Sequence, residues 1–259
     1  MKKDLVSVLM VNYNHADTIE KSIRSVLEQT YSKLQLIIVD DGSTDNSVEI
    51  INSIDDSRIE LYEEKENKQI CAVTNIGMKK VRGEYFARID SDDLWEKNKL
   101  EIQVEYLKEH PEHKICFTHV SIIDENDQVV DSDLEKLYAV DYERQEEWLE
   151  TFFFLGNCLP MTSVLMTTKI MVEIGDFNIA YRQLHDFDYW IRIAKRYPMA
   201  VIPEKLVRIR RYESETNNSN ISEKNMTRTY NEYVDIRKHF FDEMSDVVFK
   251  KTFGKKFKK

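Results

Sequence analysis

Three aspartates crowd one short stretch, FARIDSDDLW (86–95): Asp90, Asp92 and Asp93. Carboxylates this close repel one another unless a cation sits among them. In an extended chain residues i and i+2 face one side, about 6–7 Å apart along the backbone. Asp90 and Asp92 are therefore placed to share a divalent ion, Mn²⁺ or Mg²⁺. Asp93 would face away, toward backbone amides or a helix N-terminus, with Leu94 and Trp95 as anchors. A plainer reading also stands, in which DSDD only caps the helix that follows.

The glycines narrow the chemistry. There are six, at 42, 77, 83, 156, 175 and 254. No GxGxxG and no GxxxxGKS/T can be built from them, so the backbone cradles that hold phosphates in Rossmann and P-loop proteins are absent. A bound diphosphate would instead need a cation bridged to carboxylates, since magnesium-type ions take one or two carboxylates and leave other positions to water and phosphate.

The elements that must position these residues alternate through the first half. VSVLMVN (6–12), LQLIIVDD (34–41), RIELYE (58–63) and EYFARID (84–90) read as strands. Helical spacing separates them: Ile19, Ile23, Val26 and Leu27; Val48, Ile51 and Ile54; Val73, Ile76 and Val81. Such alternation predicts a parallel sheet covered on both faces. Ligands in open α/β sheets bind beyond the carboxyl ends of the strands. Three polar clusters fall there: Asn12–Tyr13–Asn14, Asp40–Asp41–Gly42–Ser43 and Asp90–Ser91–Asp92–Asp93. Tyr13 at such an end suits either stacking on a ligand or packing.

The second half is less regular. A helix is expected over 97–108, a strand over 115–124, a helix over 147–155, a strand over 162–166 and a helix over 185–197. Residues 213–225 read as a loop or lid. In HDFDYWIRI (185–193), Asp186 lies in a helical first turn, where an acid favours the dipole; Asp188 points elsewhere and reads as structural. His185 reads equally as a cap or as a neighbour that tunes Asp186.

Composition bounds the rest. A chain of 259 residues with 42% hydrophobic and 32% charged residues makes one large globular domain. Its net charge of −10 implies no general attraction to nucleic acid. Cys71, Cys116 and Cys158 lack CxxC spacing, which predicts no disulfide framework and fits a reduced, cytoplasmic setting. The apolar run after the basic start is too short for a signal peptide, and no window approaches the ~20 apolar residues of a membrane span. His15, His110, His113, His119 and His239 show no metal-ligand spacing and read as surface or packing residues. In the tail, Phe249, Phe253 and Phe257 recur every four residues among lysines. That pattern is either an anchor for an anionic membrane face or a frayed solvated end.

Together VSVLMVNYNHADTIEKSIRSVLEQTYSKLQLIIVDDGSTDNS, NIGMKKVRGEYFARIDSDD, GDFN and HDFDYWIRI resemble the family 2 glycosyltransferases of the GT-A fold, from about residue 5 to about residue 212. The resemblance implies a nucleotide-sugar donor, a divalent metal and inversion at the anomeric carbon. It places Tyr13 against the nucleobase with Val11 nearby, and Asp41 as acceptor from the base, uracil in many relatives. Arg88 becomes the basic residue before the DxD segment. Asp90 falls near the ribose and metal, Asp92 becomes the direct metal ligand, and Asp186 the catalytic base. Acceptor residues are expected within 150–190, with His185, Asn157 and Trp190 as candidates. The chain departs from the family pattern in places. NxGxxxARN reads NKQICAVTN (67–75), with Gln69 and Thr74 at the glycine and arginine positions. His185 replaces a glutamate, and Glu213 stands where a histidine-containing segment is common.

The sequence thus predicts an α/β protein of the GT-A class, with a Rossmann-like, mostly parallel central sheet and helices on both faces. One domain covers 1–240, with a nucleotide-binding part (about 1–95) and an acceptor-side part (about 96–215), followed by a basic amphipathic tail (241–259). The expected activity is metal-dependent inverting transfer from a UDP-sugar to a saccharide or lipid-linked saccharide. The expected role is in surface polysaccharide or glycoconjugate synthesis, in the cytoplasm or at the inner membrane face. A non-catalytic nucleotide-sugar binding module is the main alternative. A nucleotidyltransferase also uses paired aspartates on metal, but lacks support without a glycine-rich first loop. A receiver domain is too small to account for the length.

Overall fold

The computed structural model describes residues 1–212 and 223–255. β1 (Lys2–Asn12), α1 (Ile19–Leu27), β2 (Leu34–Asp40), α2 (Ser47–Ser53), β3 (Ile59–Glu63), α3 (Ile70–Met78) and β4 (Gly83–Asp90) alternate as expected, α3 stopping short of Val81. Then follow β5 (Leu94–Trp95), α4 (Lys99–Glu109), β6 (Ile115–Ile123), α5 (Asp133–Tyr138) and α6 (Gln145–Phe154). A 3₁₀ turn at Met161–Ser163 takes the first half of the expected 162–166 strand. β7 (Leu165–Thr167), α7 (Thr168–Ile174), α8 (His185–Ala194), β8 (Ala200–Arg210), α9 (Glu223–Lys238) and α10 (Asp246–Phe253) complete the fold. The lid reading for 213–225 falls outside the described residues up to 222; residues 223–225 open α9.

Eight strands form one sheet in the order β3-β2-β1-β4-β7-β6-β8-β5. β1 pairs in parallel with β2 and β4, β2 with β3, and β6 with β8, while β7 runs antiparallel between β4 and β6, and β5 antiparallel at the edge. The chain winds outward from β1 to β3, then crosses to β4 on β1's other side. That reversal opens a crevice at the carboxyl ends of β1 and β4. There Val11 faces Asp90 across the ladder.

The strands are apolar on both sides because both faces are covered. Val6, Val8 and Met10 of β1 pack into one core; Leu9, with Ile37 and Val39 of β2, packs into the other. Each such side chain contributes about 1.5–3 kcal/mol of burial. Arg88 lies two residues beyond Phe86 in β4, on the face that carries α3 and α8. In α8, Phe187, Trp190, Ile191 and Ala194 form the inward stripe.

Among the described residues of the tail, the aromatic side chains do not form a free face. Phe253 is fully buried, its ring 5.6 Å from Phe153 and 5.3 Å from Phe241, and Phe249 packs against Phe241 at 5.5 Å. Lys251 pairs with Glu146 of α6. Two of the three phenylalanines offered to a membrane are thus used inside the fold; Phe257 lies outside the described residues. Among the described residues no helix is long and apolar enough to cross a membrane. If α10 is part of the core, Phe253→Ala should cost about 3–5 kcal/mol in chemical denaturation, as Phe truncations in cores do. An unchanged midpoint and slope would show that α10 does not dock.

Candidate active site

The loop after β1 carries Tyr13, and the loop after β2 holds it in place. Asp40 is buried and accepts from Asn12 Nδ2 at 2.7 Å, from Ser43 Oγ at 2.6 Å and from the Ser43 amide at 2.8 Å. Asn14, at φ +57°, takes the Thr44 amide at 2.7 Å, and Asp45 takes that of Ala16 at 2.9 Å. Gly42 is at φ +74°, and a Cβ there would lie 3.1 Å from the Glu66 backbone, so glycine lets the two loops approach. Beyond it, Asp41 accepts from the Lys68 amide at 2.6 Å and the Gln69 amide at 3.1 Å. Burial raises the Asp41 carboxyl above its ordinary range, against those amides. Gln69, at the family's glycine position, is held at φ +74°, ψ 154°, a region nearly confined to glycine.

These loops and the ends of β4, α8 and β8 enclose a cavity of about 410 Å³. Val11, Tyr13, Asp41, Arg88, Asp90, Asp92, His185 and Asp186 all line it. Trp190 does not. It is fully buried, packs edge-on against Phe117 at 4.8 Å and donates its Nε1–H to the Leu159 carbonyl at 3.1 Å. It belongs to the inward stripe of α8, which corrects its placement on the acceptor side. Tyr13 stays 43% exposed, so its ring face is open to the cavity mouth.

The cations among the aspartates are two buried arginines. Arg88 is fully buried and donates from one terminal nitrogen to Asp90 Oδ1 at 3.1 Å; its Nε and other terminal nitrogen have no partner. Arg210 ends β8, buried, and is fully engaged. Its amide donates to Asp93 Oδ1 at 2.9 Å, its Nε to the Asp92 carbonyl at 2.9 Å, and its terminal nitrogens to the Asp124 carbonyl at 2.8 Å and Asp127 Oδ1 at 2.5 Å. Asp93 does take a backbone amide, and burial beside Asp92 and Asp90 pushes its carboxyl well above the ordinary range.

Asp90 and Asp92 share the cavity for a different reason from strand alternation. β4 stops at Asp90, and the Asp93 amide returns to the Asp90 carbonyl at 3.1 Å. A turn carries both carboxylates to one side. Asp92 makes no ion pair among the described residues; burial raises its carboxyl, with His15 opposing. No third His, Cys, Asp or Glu converges with the pair among the described residues. Two carboxylates, one without a cationic partner, fit an ion whose other positions go to water and phosphate.

Asp186 faces the pair from α8. Its Oδ1 accepts from the Phe187 amide at 2.7 Å and its Oδ2 from Asn157 Nδ2 at 2.9 Å. Asn157 thus orients Asp186. Burial raises Asp186 to about 6, against those two hydrogen bonds and Arg88. His185 is lowered to about 4 by burial, with Arg88 adding to it, so it is neutral at pH 7; its Nδ1 lies 3.3 Å from the Arg182 carbonyl. Asp188 pairs with Arg192 at 3.0 Å and is structural.

His15, Tyr138, Arg182, Arg210 and Arg211 also line the cavity and escaped the sequence reading as site residues. The basic run RIRRY at a strand end was the available signal for the last two; nothing local marks Tyr138. His110 and His113 pack against Tyr106, with ring centroids 4.4 and 5.8 Å away, as packing residues do. Their ligand atoms lie within 4.8 Å of one another and of Glu112. They precede β6, at the opposite end of the sheet from the cavity.

The fold is of the GT-A class. A sequence profile for Glycosyl transferase family 2 matches residues 7–168, and the chain belongs to that family. It is 30% identical over 195 residues to the Escherichia coli UDP-Glc:alpha-D-GlcNAc-diphosphoundecaprenol beta-1,3-glucosyltransferase WfaP, covering 74% of this chain and 71% of that one. An uncharacterized glycosyltransferase of Haemophilus influenzae is 29% identical over 234 residues, covering 86% of this chain and 70% of that one. Among solved structures, S. aureus TarS 1-349 with UDP-GlcNAc superposes at a TM-score of 0.75 with 16% identity, over 97% of this chain and 72% of TarS. The Pyrobaculum calidifontis mannosyltransferase PcManGT with GDP-Man and Mn²⁺ gives 0.62 and 16%, over 97% and 68%. At such identities the two structures speak to the fold.

The raised Asp186 carries a sign. Native Asp186 holds its proton to about pH 6, the unfolded carboxyl only to its ordinary value of 3.8. Its neutral form therefore stabilises the fold below pH 3.8, and that contribution is lost as pH rises through 6. Asp186→Asn should melt higher than the parent at pH 8, by about 3 kcal/mol. The difference should shrink toward nothing near pH 3.5. Identical melting curves at pH 8 would contradict burial as the cause.

Proposed function

We propose that this chain is an inverting glycosyltransferase that moves a sugar from a UDP-sugar to an acceptor hydroxyl, with Asp186 as the base. One observation supports this reading: Asp186, Asp90 and Asp92 line a single cavity, with Arg88 bonded to Asp90 and acting on the charge of Asp186. Residues 1–95 would supply most donor contacts and 96–215 the acceptor-facing wall.

Each residue then has a task. Tyr13 stacks on the base, beside the Val11 backbone, and Asp41 accepts from it. Asp90 and Asp92 would hold a divalent cation, which when bound neutralises charge on the diphosphate. Arg88 has unpartnered N–H groups at the cavity wall, and a guanidinium fork suits phosphate oxygens. Asp186 takes the proton of the acceptor hydroxyl. The acceptor oxygen bonds to the anomeric carbon as the bond to the diphosphate breaks, and the nucleoside diphosphate leaves on the opposite face. A carboxylate with an affinity near pH 6 is ionised at neutral pH and still basic enough to help. Neutral His185 beside it leaves its charge unpaired by a cation.

UDP is favoured by the relative whose name specifies UDP-Glc and by the neighbour bound to UDP-GlcNAc. The same relative's name, with its diphosphoundecaprenol, points to a lipid-linked saccharide acceptor and to work beside a membrane on surface polysaccharide or glycoconjugate. With Phe249 and Phe253 packed inward, peripheral contact would fall to the tail lysines.

A thermal-shift series of UDP-, GDP- and dTDP-sugars with and without Mn²⁺ tests the donor. A ligand at 100 times its Kd adds about 2.7 kcal/mol. The UDP-sugar should shift the protein most, more so with Mn²⁺, and Asp92→Asn should remove the Mn²⁺ increment. Asp186→Asn should keep the shift and lose transfer by about 10²–10⁴-fold. No shift with any donor would overturn the donor assignment; full transfer by Asp186→Asn would overturn the base. Binding without transfer by the parent, across acceptors, would favour the binding module.

A further inference from the structure

Asp186 owes its place to the start of α8, and the start of α8 is poorly held by its own sequence. The residue at the cap is Leu184, which supplies no side-chain acceptor; an apolar residue there is among the weakest caps. The amides entering the helix are instead taken up by a residue some fifty positions away. Glu232 of α9 is 7% exposed. Its Oε1 accepts from the Arg182 amide at 2.9 Å, and its Oε2 from the Gln183 amide at 2.8 Å and the Leu184 amide at 2.9 Å. Three consecutive peptide N–H groups thus converge on one carboxylate. Glu232 makes no ion pair among the described residues, so these amides and the helix's positive end hold its charge.

The same helix grips the segment on either side. Tyr181 donates its hydroxyl to Asp235 Oδ2 at 2.8 Å. Tyr233 stacks on Phe187, rings 5.7 Å apart and inclined by 9°. Asp186 therefore lies between two points fastened to α9, with His185 beside it.

We propose that Glu232 is a positioning residue for transfer: by gathering the amides of 182–184 it fixes the entry of α8 and hence the orientation of the Asp186 carboxylate toward the cavity. This rests on the reading of Asp186 as the base. A charged oxygen accepting amide protons is stronger than a neutral one. Glutamine at 232 would turn one oxygen into a donor facing amides that themselves donate.

The test compares Glu232→Gln, Glu232→Asp and Ile236→Val with the parent in the full chain. Ile236 is buried on the same helix one turn on, carries no group that bonds the 182–184 amides, and serves as the control for general loosening of α9. In Glu232→Gln, kcat should fall about 10- to 100-fold, as small misplacements of a reacting group do. The donor KM and donor-induced thermal shift should stay within about twofold, because the donor-side residues are untouched. Amide hydrogen exchange at 182–184 should rise while β1 and β2 stay protected. Glu232→Asp keeps the charge and should lose less than Glu232→Gln; Ile236→Val should lower stability and leave kcat alone. Parental kcat in Glu232→Gln, with Asp186→Asn inactive, overturns the positioning role and spares the base. An active Asp186→Asn instead sinks the base reading. Should Glu232→Gln fail to fold, the same readings on Glu232→Asp decide: a kcat drop with unchanged donor KM supports the role, and parental kcat ends it.

Discussion

The structure depends on charge neutralisation at the rim of a sheet. Asp90, Asp92 and Asp93 leave the end of β4 within four residues, and among the described residues no lysine pairs with them. Two buried arginines lie beside them and act differently: the Arg88 guanidinium pairs with Asp90, while that of Arg210 binds the Asp92 carbonyl and pairs with Asp127. Arg210 is saturated: every group it offers meets an oxygen of 92–93, Asp124 or Asp127. Arg88 is not. Burying a guanidinium with N–H groups unmatched costs free energy, and a structure tolerates that where something else completes the match. One arginine therefore fastens the acidic turn to β8, and the other keeps unmatched donors beside the cavity.

That arrangement follows from topology. β1 and β4 are neighbours because the chain reverses direction across the sheet, and the crevice between their ends receives the residues each strand delivers. Asp40, Ser43 and Asp45 are consumed in tying the first loop to the second. In DDGSTDNS only Asp41 reaches the cavity; its neighbours are fasteners. The motif's apparent excess of polar groups is thus mostly scaffolding.

Legibility in the sequence tracked how local the cause was. β1, β2 and β4 are apolar on both faces, and α1 and α4 repeat at helical spacing, so each is set by its own residues. β8 escaped because AVIPEKLVRIR holds Pro203 and three exposed positions, and its ladder with β6 shifts register twice. α9 escaped because it is polar along most of its length and buries little beyond Glu232 and Ile236. The role of Trp190 was misjudged for a related reason: helical spacing identified an inward stripe but not which member met the cavity. The aspartates were found by residue type, yet the turn that aims Asp90 and Asp92 depends on where β4 stops, a property of its neighbours. Asn157 and Tyr138 reach the site only through tertiary contacts.

Gln69 has a mechanical implication. A glutamine forced into glycine's territory stores about 1–3 kcal/mol, and what holds it there is the pair of amides taken by Asp41. The same carboxylate faces the cavity. The Asp41 carboxylate thus has two duties at once: it ties down the strained backbone at 68–69 and it forms part of the cavity wall.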